Sequence, residues 1–233
     1  MSTAILTDSG CLAAITPGLW ALRVGVIVGA LGLWFWTQAW LAKRPAVAAT
    51  GDGMIADGIH RLTAGWHRRL HENPRRANAL LIASSLVIDL LGLWLLASAI
   101  FGVSFGPFMG LMLLFALRQV CQAFCPLPPP PGMIWRNPGC PTLLVTYGTS
   151  NDLFFSGHTA IAVYGALSLA AALGSLGMVL GGAIIVFEMA AVLVLRAHYT
   201  LDVFTGAITA LYVHHLAGQL APVVDGWFGR LVG

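Results

Sequence analysis

Residues 77–100 read ANALLIASSLVIDLLGLWLLASAI, and this stretch decides the class of fold. Asp89 is its only charged side chain. An α-helix rises about 1.5 Å per residue, so about 20 apolar residues cross the roughly 30 Å hydrocarbon core of a bilayer. Other stretches of the chain share this length and composition. We therefore predict six membrane-spanning helices, near residues 19–42, 77–100, 104–124, 157–174, 177–197 and 200–218.

The composition of the whole chain also indicates that the protein lies in lipid. The chain has 233 residues, of which 58% are hydrophobic and 9% charged, and its mean hydropathy is +0.83. A soluble domain carries about 25% charged residues, so this chain lacks the charge to solvate its surface. Unpaired backbone groups are costly in hydrocarbon, which excludes open sheets. We predict an all-α integral membrane protein, a six-helix bundle that forms one domain over residues 1–233. The N-terminus lacks a signal-peptide pattern, so we expect the first span to remain in the mature protein.

Between the first two spans, residues 51–76 form a polar segment. Its apolar side chains recur at helical spacing, and Asp, His and Arg fill the intervening positions. This pattern is typical of an amphipathic helix lying in the headgroup plane, and the alternative is a solvated helix without lipid contact. The apolar positions are Met54, Ile55, Ile59, Leu62, Trp66 and Leu70.

The second long connection, residues 125–156, begins CPLPPPPGMIWRNPGCP. Its four consecutive prolines, at 128–131, impose an extended conformation and forbid a helix. Rigid non-helical backbone beside a membrane is favoured where it lines a cavity, and we expect this connection to do so. The alternative is an ordinary exposed loop stiffened by proline.

The four cysteines follow no metal-ligand spacing, so we expect buried free thiols that pack like small hydrophobes. Two of them, Cys125 and Cys140, can pair if their loop faces an oxidising compartment. The four are Cys11, Cys121, Cys125 and Cys140.

Ionisable side chains within or beside spans are costly in lipid and are therefore functional candidates. If successive spans alternate in direction, the end of the third, the start of the fourth, the end of the fifth and the start of the sixth share one membrane surface. The candidates there are Arg118, Asp152, His158, Arg196, His198 and Asp202. Glu188, deeper in the fifth span, is a further candidate for a direct role.

The chemistry of this group suits phosphoryl transfer. His198 and Asp202 are four residues apart, which predicts one helix face and a hydrogen bond between them. A carboxylate behind an imidazole fixes its tautomer and supports positive charge on the ring. His158 can serve as proton donor, and Arg118 and Arg196 can clamp phosphate oxygens. We expect neither a metal nor a cofactor, since histidine and arginine supply both the nucleophile and the neutralising charge.

These residues carry a family resemblance. Ser156, Gly157 and His158, with the run HYTLD at 198–202, resemble the second and third motifs of the lipid phosphatase/phosphotransferase superfamily. DLFFSGHT (152–159) and AHYTLDV (197–203) more closely resemble sphingomyelin synthases and the plant phosphatidylcholine:diacylglycerol cholinephosphotransferases. The stretch LRQVCQAFCPLPPPPG (117–132) is similar to their Leu-Arg and Leu-Pro-x-Pro elements. The resemblance covers about residues 110–218, which it implies are the catalytic half.

The resemblance implies a role for each matched residue. His198 would be the nucleophile that forms a phosphohistidine, Asp202 its partner, and His158 the acid that protonates the departing lipid alkoxide. Asp152 stands where sphingomyelin synthases place an Asp, whereas Arg196 stands where the plant enzymes place an Arg. The sequence therefore mixes the two patterns, and it lacks the Ser-Arg of the simple phosphatases.

Four other residues are candidates for substrate binding. Backbone amides at Ser156 and Gly157, at a predicted helix start, can bind phosphate. Trp135 and Tyr199 can hold a quaternary ammonium by cation–π contacts. The alternative for these aromatic residues is the belt found at any membrane interface.

We predict a transferase that moves a phosphorylated headgroup, phosphocholine in the first instance, from a phospholipid to a lipid alcohol such as ceramide or diacylglycerol. Its partners are these lipids and the membrane, with no nucleic acid, and the oligomeric state stays open. The enzymatic alternatives are a lipid phosphate phosphatase and a phospholipase-C-like hydrolase. The non-enzymatic alternatives are a small membrane cytochrome, with haem bound by histidines of separate spans, and a transporter.

The distribution of basic residues places the site at the cytoplasmic surface by the positive-inside rule. Sphingomyelin synthases, which the sequence resembles, include members whose site faces away from the cytosol. Arg23 and Arg230 lie on the opposite side. The basic residues on the side of the site are Lys43, Arg44, Arg61, Arg68, Arg69, Arg75, Arg76, Arg118, Arg136 and Arg196.

Overall fold

The structure is a computed structural model that describes residues 16–43, 55–125, 127–147 and 153–232. Over these residues it is helical and contains no strand, which confirms the all-α prediction. Eight helices follow one another: α1 (Pro17–Ala42), α2 (Gly58–Leu62), α3 (Ala64–Glu72), α4 (Pro74–Phe101), α5 (Gly106–Phe124), α6 (Gly157–Leu173), α7 (Ser175–Val194) and α8 (Thr200–Val232).

Five of the described helices, α1, α4, α5, α7 and α8, are long and apolar enough to cross a membrane. The fourth predicted span is α6, an apolar helix of 17 residues that is shorter than the other five. A multi-pass membrane protein is therefore supported, and the crossing by α6 stays a prediction.

Helix α6 lies at the centre of the bundle, in contact with α4, α5, α7 and α8. Every residue from 158 to 166 is buried, which explains why the sequence of α6 shows no polar face. The Tyr164 hydroxyl donates to the Gly106 carbonyl at 3.1 Å. The Tyr164 ring crosses α5 where Gly110 lacks a side chain, and a Cβ on Gly110 would lie within 1.9 Å of its hydroxyl.

The last helix is longer than the sequence predicted, since α8 continues past 218 and through Pro222 to Val232. Asp225 explains the extension. Its carboxylate accepts hydrogen bonds from the Phe105 amide at 2.8 Å and the Ser104 hydroxyl at 2.7 Å, and it pairs with Arg23 at 3.4 Å. These bonds hold the end of α8 against α1 and the α4–α5 turn.

The predicted amphipathic helix over 51–76 is divided in two within the described residues. Thr63 separates α2 from α3, and Asn73 ends α3 and caps α4. Three apolar side chains of the segment, Ile55, Leu62 and Trp66, are exposed. Its placement in the headgroup plane stays a prediction, and Met54 lies outside the described residues.

Two histidines of this segment bind the turn between α7 and α8. His60 Nε2 lies 2.9 Å from the His198 carbonyl, and His67 Nδ1 lies 2.9 Å from the Val194 carbonyl. Because a carbonyl only accepts, each of these ring nitrogens carries the proton.

Asp57 adds a third contact of this segment, which it makes with the start of α8. Its carboxylate accepts from the Thr200 amide at 2.6 Å and the Thr200 hydroxyl at 2.7 Å. Burial acts to raise the pKa of Asp57, but these hydrogen bonds, a further one from the His60 amide and the nearby His60 ring outweigh it and lower the pKa. Asp57 therefore stays ionised and holds the segment before α2 against the start of α8.

The proline-rich connection packs against the same turn. The Ile134 amide donates to the Leu195 carbonyl at 2.8 Å, and the prolines at 128–131 form no helix. Farther along, Asp89 accepts from the Leu143 and Leu144 amides, at 2.8 Å each. Asp89, on α4, thus binds backbone amides of the connection between α5 and α6.

The described cysteines are free. Cys121 and Cys140 are half-buried, whereas Cys125 is exposed, so the expectation of buried thiols is wrong for Cys125. Its position directly after α5 explains the exposure, because the helix ends there and the chain leaves the bundle. Cys11 lies outside the described residues.

Gly206→Ala is expected to destabilise the protein. A Cβ at Gly206 would lie 2.6 Å from the Ser156 carbonyl oxygen, so α6 and α8 would have to separate at the site. We expect a free energy of unfolding lower by ~1–3 kcal/mol, measured by denaturant unfolding in detergent. The control is Gly218→Ala on the same helix, where a Cβ would meet nothing within 4 Å. Equal stability of the two variants would show that the helices do not meet at Gly206.

Acidification is expected to weaken the contact of α3 with α7. Burial and the nearby positive charge of Arg196 lower the pKa of His67, against the opposing effect of its hydrogen bond to Val194. His67 therefore stabilises this contact fully above its ordinary pKa of about 6.5, and the contribution is lost as the pH falls through the lowered value. After correction for the intrinsic slowing of exchange at low pH, the amides of α3 should be less protected at pH 5 than at pH 7.5.

The variant His67→Gln, which does not titrate, should lose this pH dependence. The matched control is His71→Gln, one helical turn away on an exposed side chain, which should keep it. An equal pH response in both variants would contradict the role of His67.

Candidate functional site

A pocket opens where α6 begins and the α7–α8 turn passes, and it holds about 40 Å³. Its polar lining consists of Gln38, Thr146 and three cationic or titratable side chains, Arg118, His158 and His198. Among the described residues no carboxylate lines it. This lining suits an anion. Aromatic rings of Trp34, Phe115 and Trp135 form much of the remaining wall.

His158 is positioned by the first turn of α6. Ser156 caps this helix, since its hydroxyl accepts from the Thr159 amide at 3.3 Å. The Trp135 ring meets the imidazole edge to face, with the ring centres 5.2 Å apart. His158 Nε2 is buried and has no hydrogen-bond partner within the described part of the chain. Such an atom is costly to bury and is suited to a polar ligand.

His198 lies in the turn before α8, which corrects the prediction that it shares a helix face with Asp202. Asp202 lies in the first turn of α8, fully buried, and its Oδ2 accepts from the Tyr199 amide at 2.9 Å. The same Oδ2 is 3.6 Å from His198 Nδ1. The two groups are thus neighbours, as the spacing predicted, but at a distance longer than a hydrogen bond.

Arg118 reaches the pocket from the end of α5. Its Nε donates to the Phe155 carbonyl at 3.0 Å. Gly157 makes room for this side chain, since a Cβ at Gly157 would lie 3.0 Å from the Arg118 Nε. Gly157 lines the pocket beside Arg118.

The structure does not bring Arg196 into the pocket lining. Its guanidinium donates to the Pro131 carbonyl at 2.8 Å, so it binds the proline-rich connection. Arg196 has a φ of 53°, in the left-handed region that costs a residue with a side chain ~1–3 kcal/mol. This conformation reverses the chain between α7 and His198.

Ser156 and Tyr199 also lie outside the pocket lining. Ser156 is fully buried, and its amide donates to the Asp202 carbonyl at 3.0 Å, which ties α6 to α8. The Tyr199 ring stacks on His60 with the centres 5.9 Å apart. Burial, with the carboxylates of Asp202 and Asp57 nearby, raises the pKa of Tyr199, so its phenol stays protonated. Both residues contact elements that carry the pocket, without lining the pocket themselves.

Glu188 is fully buried in α7, where its Oε2 accepts from the Ser84 hydroxyl at 2.7 Å. Glu188 does not line the pocket, and the hydrogen bond from Ser84 joins it to α4. Asp152, the remaining predicted catalytic residue, lies outside the described residues.

Sequence reasoning missed Gln38, which α1 contributes to the pocket. Its side chain is buried, and its Nε2 has no hydrogen-bond partner among residues that the structure describes. The signal was present, because a polar side chain inside an apolar span is costly. Gln38 carries no charge, so a criterion of ionisable side chains does not include it.

A family model described as AtPDCT1/2 matches residues 57–219, well over half of the chain, and this range includes Arg118, His158, His198 and Asp202. Neither a curated protein nor a solved structure matches the chain. The resemblance to the plant enzymes is thereby confirmed, whereas those to sphingomyelin synthases and to the wider superfamily stay predictions. The chain belongs to the AtPDCT1/2 family, the phosphatidylcholine:diacylglycerol cholinephosphotransferases.

Proposed function

We propose that this protein transfers phosphocholine from phosphatidylcholine to diacylglycerol through a phosphohistidine at His198. Family membership supports the two lipids as substrates. The observation that carries the chemistry is the meeting of His158, His198 and Arg118 in one pocket, although they come from three separate parts of the chain. Two imidazoles beside a guanidinium suit a phosphate that is attacked on one side and protonated on the other.

In the first step, His198 Nε2 attacks the phosphorus of phosphatidylcholine, and the bond from phosphorus to the glycerol oxygen breaks. His158 donates its proton to that oxygen, and diacylglycerol leaves. The bound phosphate favours the protonated form of His158, because a nearby opposite charge stabilises the cation. The phosphocholine group is then bonded to His198.

In the second step, the hydroxyl of an incoming diacylglycerol attacks the same phosphorus, and the bond from phosphorus to His198 breaks. His158 accepts the hydroxyl proton and is ready for another cycle. The product is phosphatidylcholine with the acyl chains of the acceptor. Each proton that leaves His158 in the first step therefore returns in the second.

The neighbouring residues stabilise the charges that develop. Asp202 lies 3.6 Å from His198 Nδ1, and closing this distance on substrate binding would stabilise the positive ring of the intermediate. Arg118 neutralises the phosphoryl oxygens, while its bond to the Phe155 carbonyl keeps it oriented. The apolar walls limit water at the phosphorus, which favours an alcohol as acceptor.

The proposal is tested by incubating purified protein with choline-labelled phosphatidylcholine and a diacylglycerol of different chain length. We expect labelled phosphatidylcholine with the acceptor's chains, and acid-labile label on the protein when phosphorus-labelled donor is supplied without acceptor. His198→Ala should abolish both, and His158→Ala should slow transfer by about 10²–10⁴-fold. Ceramide is supplied in parallel as a competing acceptor.

The control variant is His215→Ala, an exposed histidine near the middle of α8 that does not line the pocket, which should transfer at the rate of the unmodified protein. Release of free phosphocholine or phosphate without any new lipid would overturn the transferase and favour the hydrolase. Transfer without label on the protein would overturn the phosphohistidine.

Gln38→Leu is expected to impair transfer without unfolding the protein. The Gln38 amide lies in the pocket with an unpaired Nε2, where it can donate to a phosphate oxygen. A hydrogen bond to a charged group contributes enough to predict a fall in kcat/KM of about 10–100-fold. The measurement is the same chain-exchange assay.

The matched control is Gln122→Leu. Gln122 is another buried amide without a partner in the described part of the chain, but it does not line the pocket. We expect unchanged kcat/KM for this variant. A similar loss in both variants would indicate a structural role for the two amides.

A further inference from the structure

A second groove lies on the outside of the bundle, away from the pocket, where α3 packs near α4 and α7. It holds about 310 Å³, which is at the lower end of the ~300–1,000 Å³ typical of ligand sites. Its walls are mostly apolar, which suits a hydrocarbon chain. The apolar lining includes Trp66, Leu70, Leu80, Phe187, Ala190 and Val194.

Two arginines, Arg69 from α3 and Arg76 from the first turn of α4, also line this groove. Both are exposed, and neither guanidinium forms an ion pair or hydrogen bond with another described residue. No acidic side chain of the described chain lines the groove. The groove therefore combines apolar walls with two positive charges that no described residue pairs.

The groove lies at the same end of the bundle as the pocket. It is formed where α4 begins and α7 ends, and Val194, one of its lining residues, accepts the hydrogen bond from His67. Trp66 is 62% exposed, as an aromatic residue at the headgroup level is expected to be. If α3 lies at the headgroup level, as the sequence predicts, the arginines stand beside the lipid headgroups and the apolar walls face the acyl chains.

We propose that this groove binds one anionic phospholipid, with its phosphate on Arg69 and Arg76 and an acyl chain against α7. The guanidinium group matches phosphate oxygens in geometry and charge. A zwitterionic lipid is a poorer partner because its ammonium group would add positive charge beside two arginines. A net negative headgroup complements both. The occupant is thus distinct from the phosphatidylcholine of the catalytic pocket.

The bound lipid would contact α3, α4 and α7 together. It would hold α3 on the bundle, where His67 binds the Val194 carbonyl next to the turn that carries His198. Binding to the folded state alone raises the unfolding temperature, so the site can be detected without any measurement of transfer.

The test compares the purified protein in nanodiscs of phosphatidylcholine with the protein in nanodiscs of equal phosphatidylcholine and phosphatidylglycerol. We expect phosphatidylglycerol to raise Tm, and native mass spectrometry to retain one phosphatidylglycerol on the protein. The double variant Arg69→Gln/Arg76→Gln should bind this lipid at least about tenfold more weakly and lose the Tm increase.

The chain offers a matched control, Arg68→Gln/Arg75→Gln. It removes the same charge from the same two helices, one residue away on each, at positions that do not line the groove. This variant should behave like the unmodified protein. Equal loss of binding in both double variants, or in neither, would overturn the site, and an equal effect of phosphatidylcholine alone would overturn its preference for an anionic lipid.

A second variant tests the apolar half of the groove without changing charge. Ala190 is exposed and lies in the groove, so Ala190→Trp would fill it while both arginines remain. We expect this variant to lose the retained phosphatidylglycerol. Retention at the level of the unmodified protein would show that the arginines attract lipid without a groove and would overturn the proposal.

Discussion

The site depends on how the backbone hydrogen bonds of residues 194–200 are satisfied. These residues connect two spanning helices beside the hydrocarbon, where an unpaired peptide group is costly. Helix geometry alone leaves the last carbonyls of α7 and the first amides of α8 without partners. The chain supplies partners from several elements. They are His67 for Val194, Ile134 for Leu195, His60 for His198, and Asp202 for Tyr199.

One consequence is that His198 is held by the segment before α4 as much as by its own helices. His60 binds its carbonyl, His67 and Asp57 bind the chain on either side of it at Val194 and Thr200, and Asp202 lies behind its ring. A second consequence is close packing at the start of α6, where Gly157 admits the Arg118 side chain. A side chain held from several directions loses little entropy when a ligand binds, which would favour the proposed reaction.

The positions of the helices could be predicted because the length and polarity of a span follow from the thickness of the bilayer. The convergence of Arg118, His158 and His198 could be predicted as well, since alternating spans place their ends at one surface. The extension of α8 could not, because it depends on Asp225 meeting Arg23 and the Ser104 region, residues far away in sequence. Nothing local in α8 signals that contact.

By itself, then, the sequence determined that this chain folds as a helical membrane protein and which ionisable residues gather at one end of it. It could do so because apolar length and charge are local properties of a segment. Only the tertiary structure decided which of those residues face the pocket. In the folded chain Arg196 donates to the Pro131 carbonyl, and Ser156 caps α6. Gln38, on the first helix, lines the pocket together with His158. The direction of a side chain depends on which distant backbone groups need a partner, and that need arises only when the helices pack.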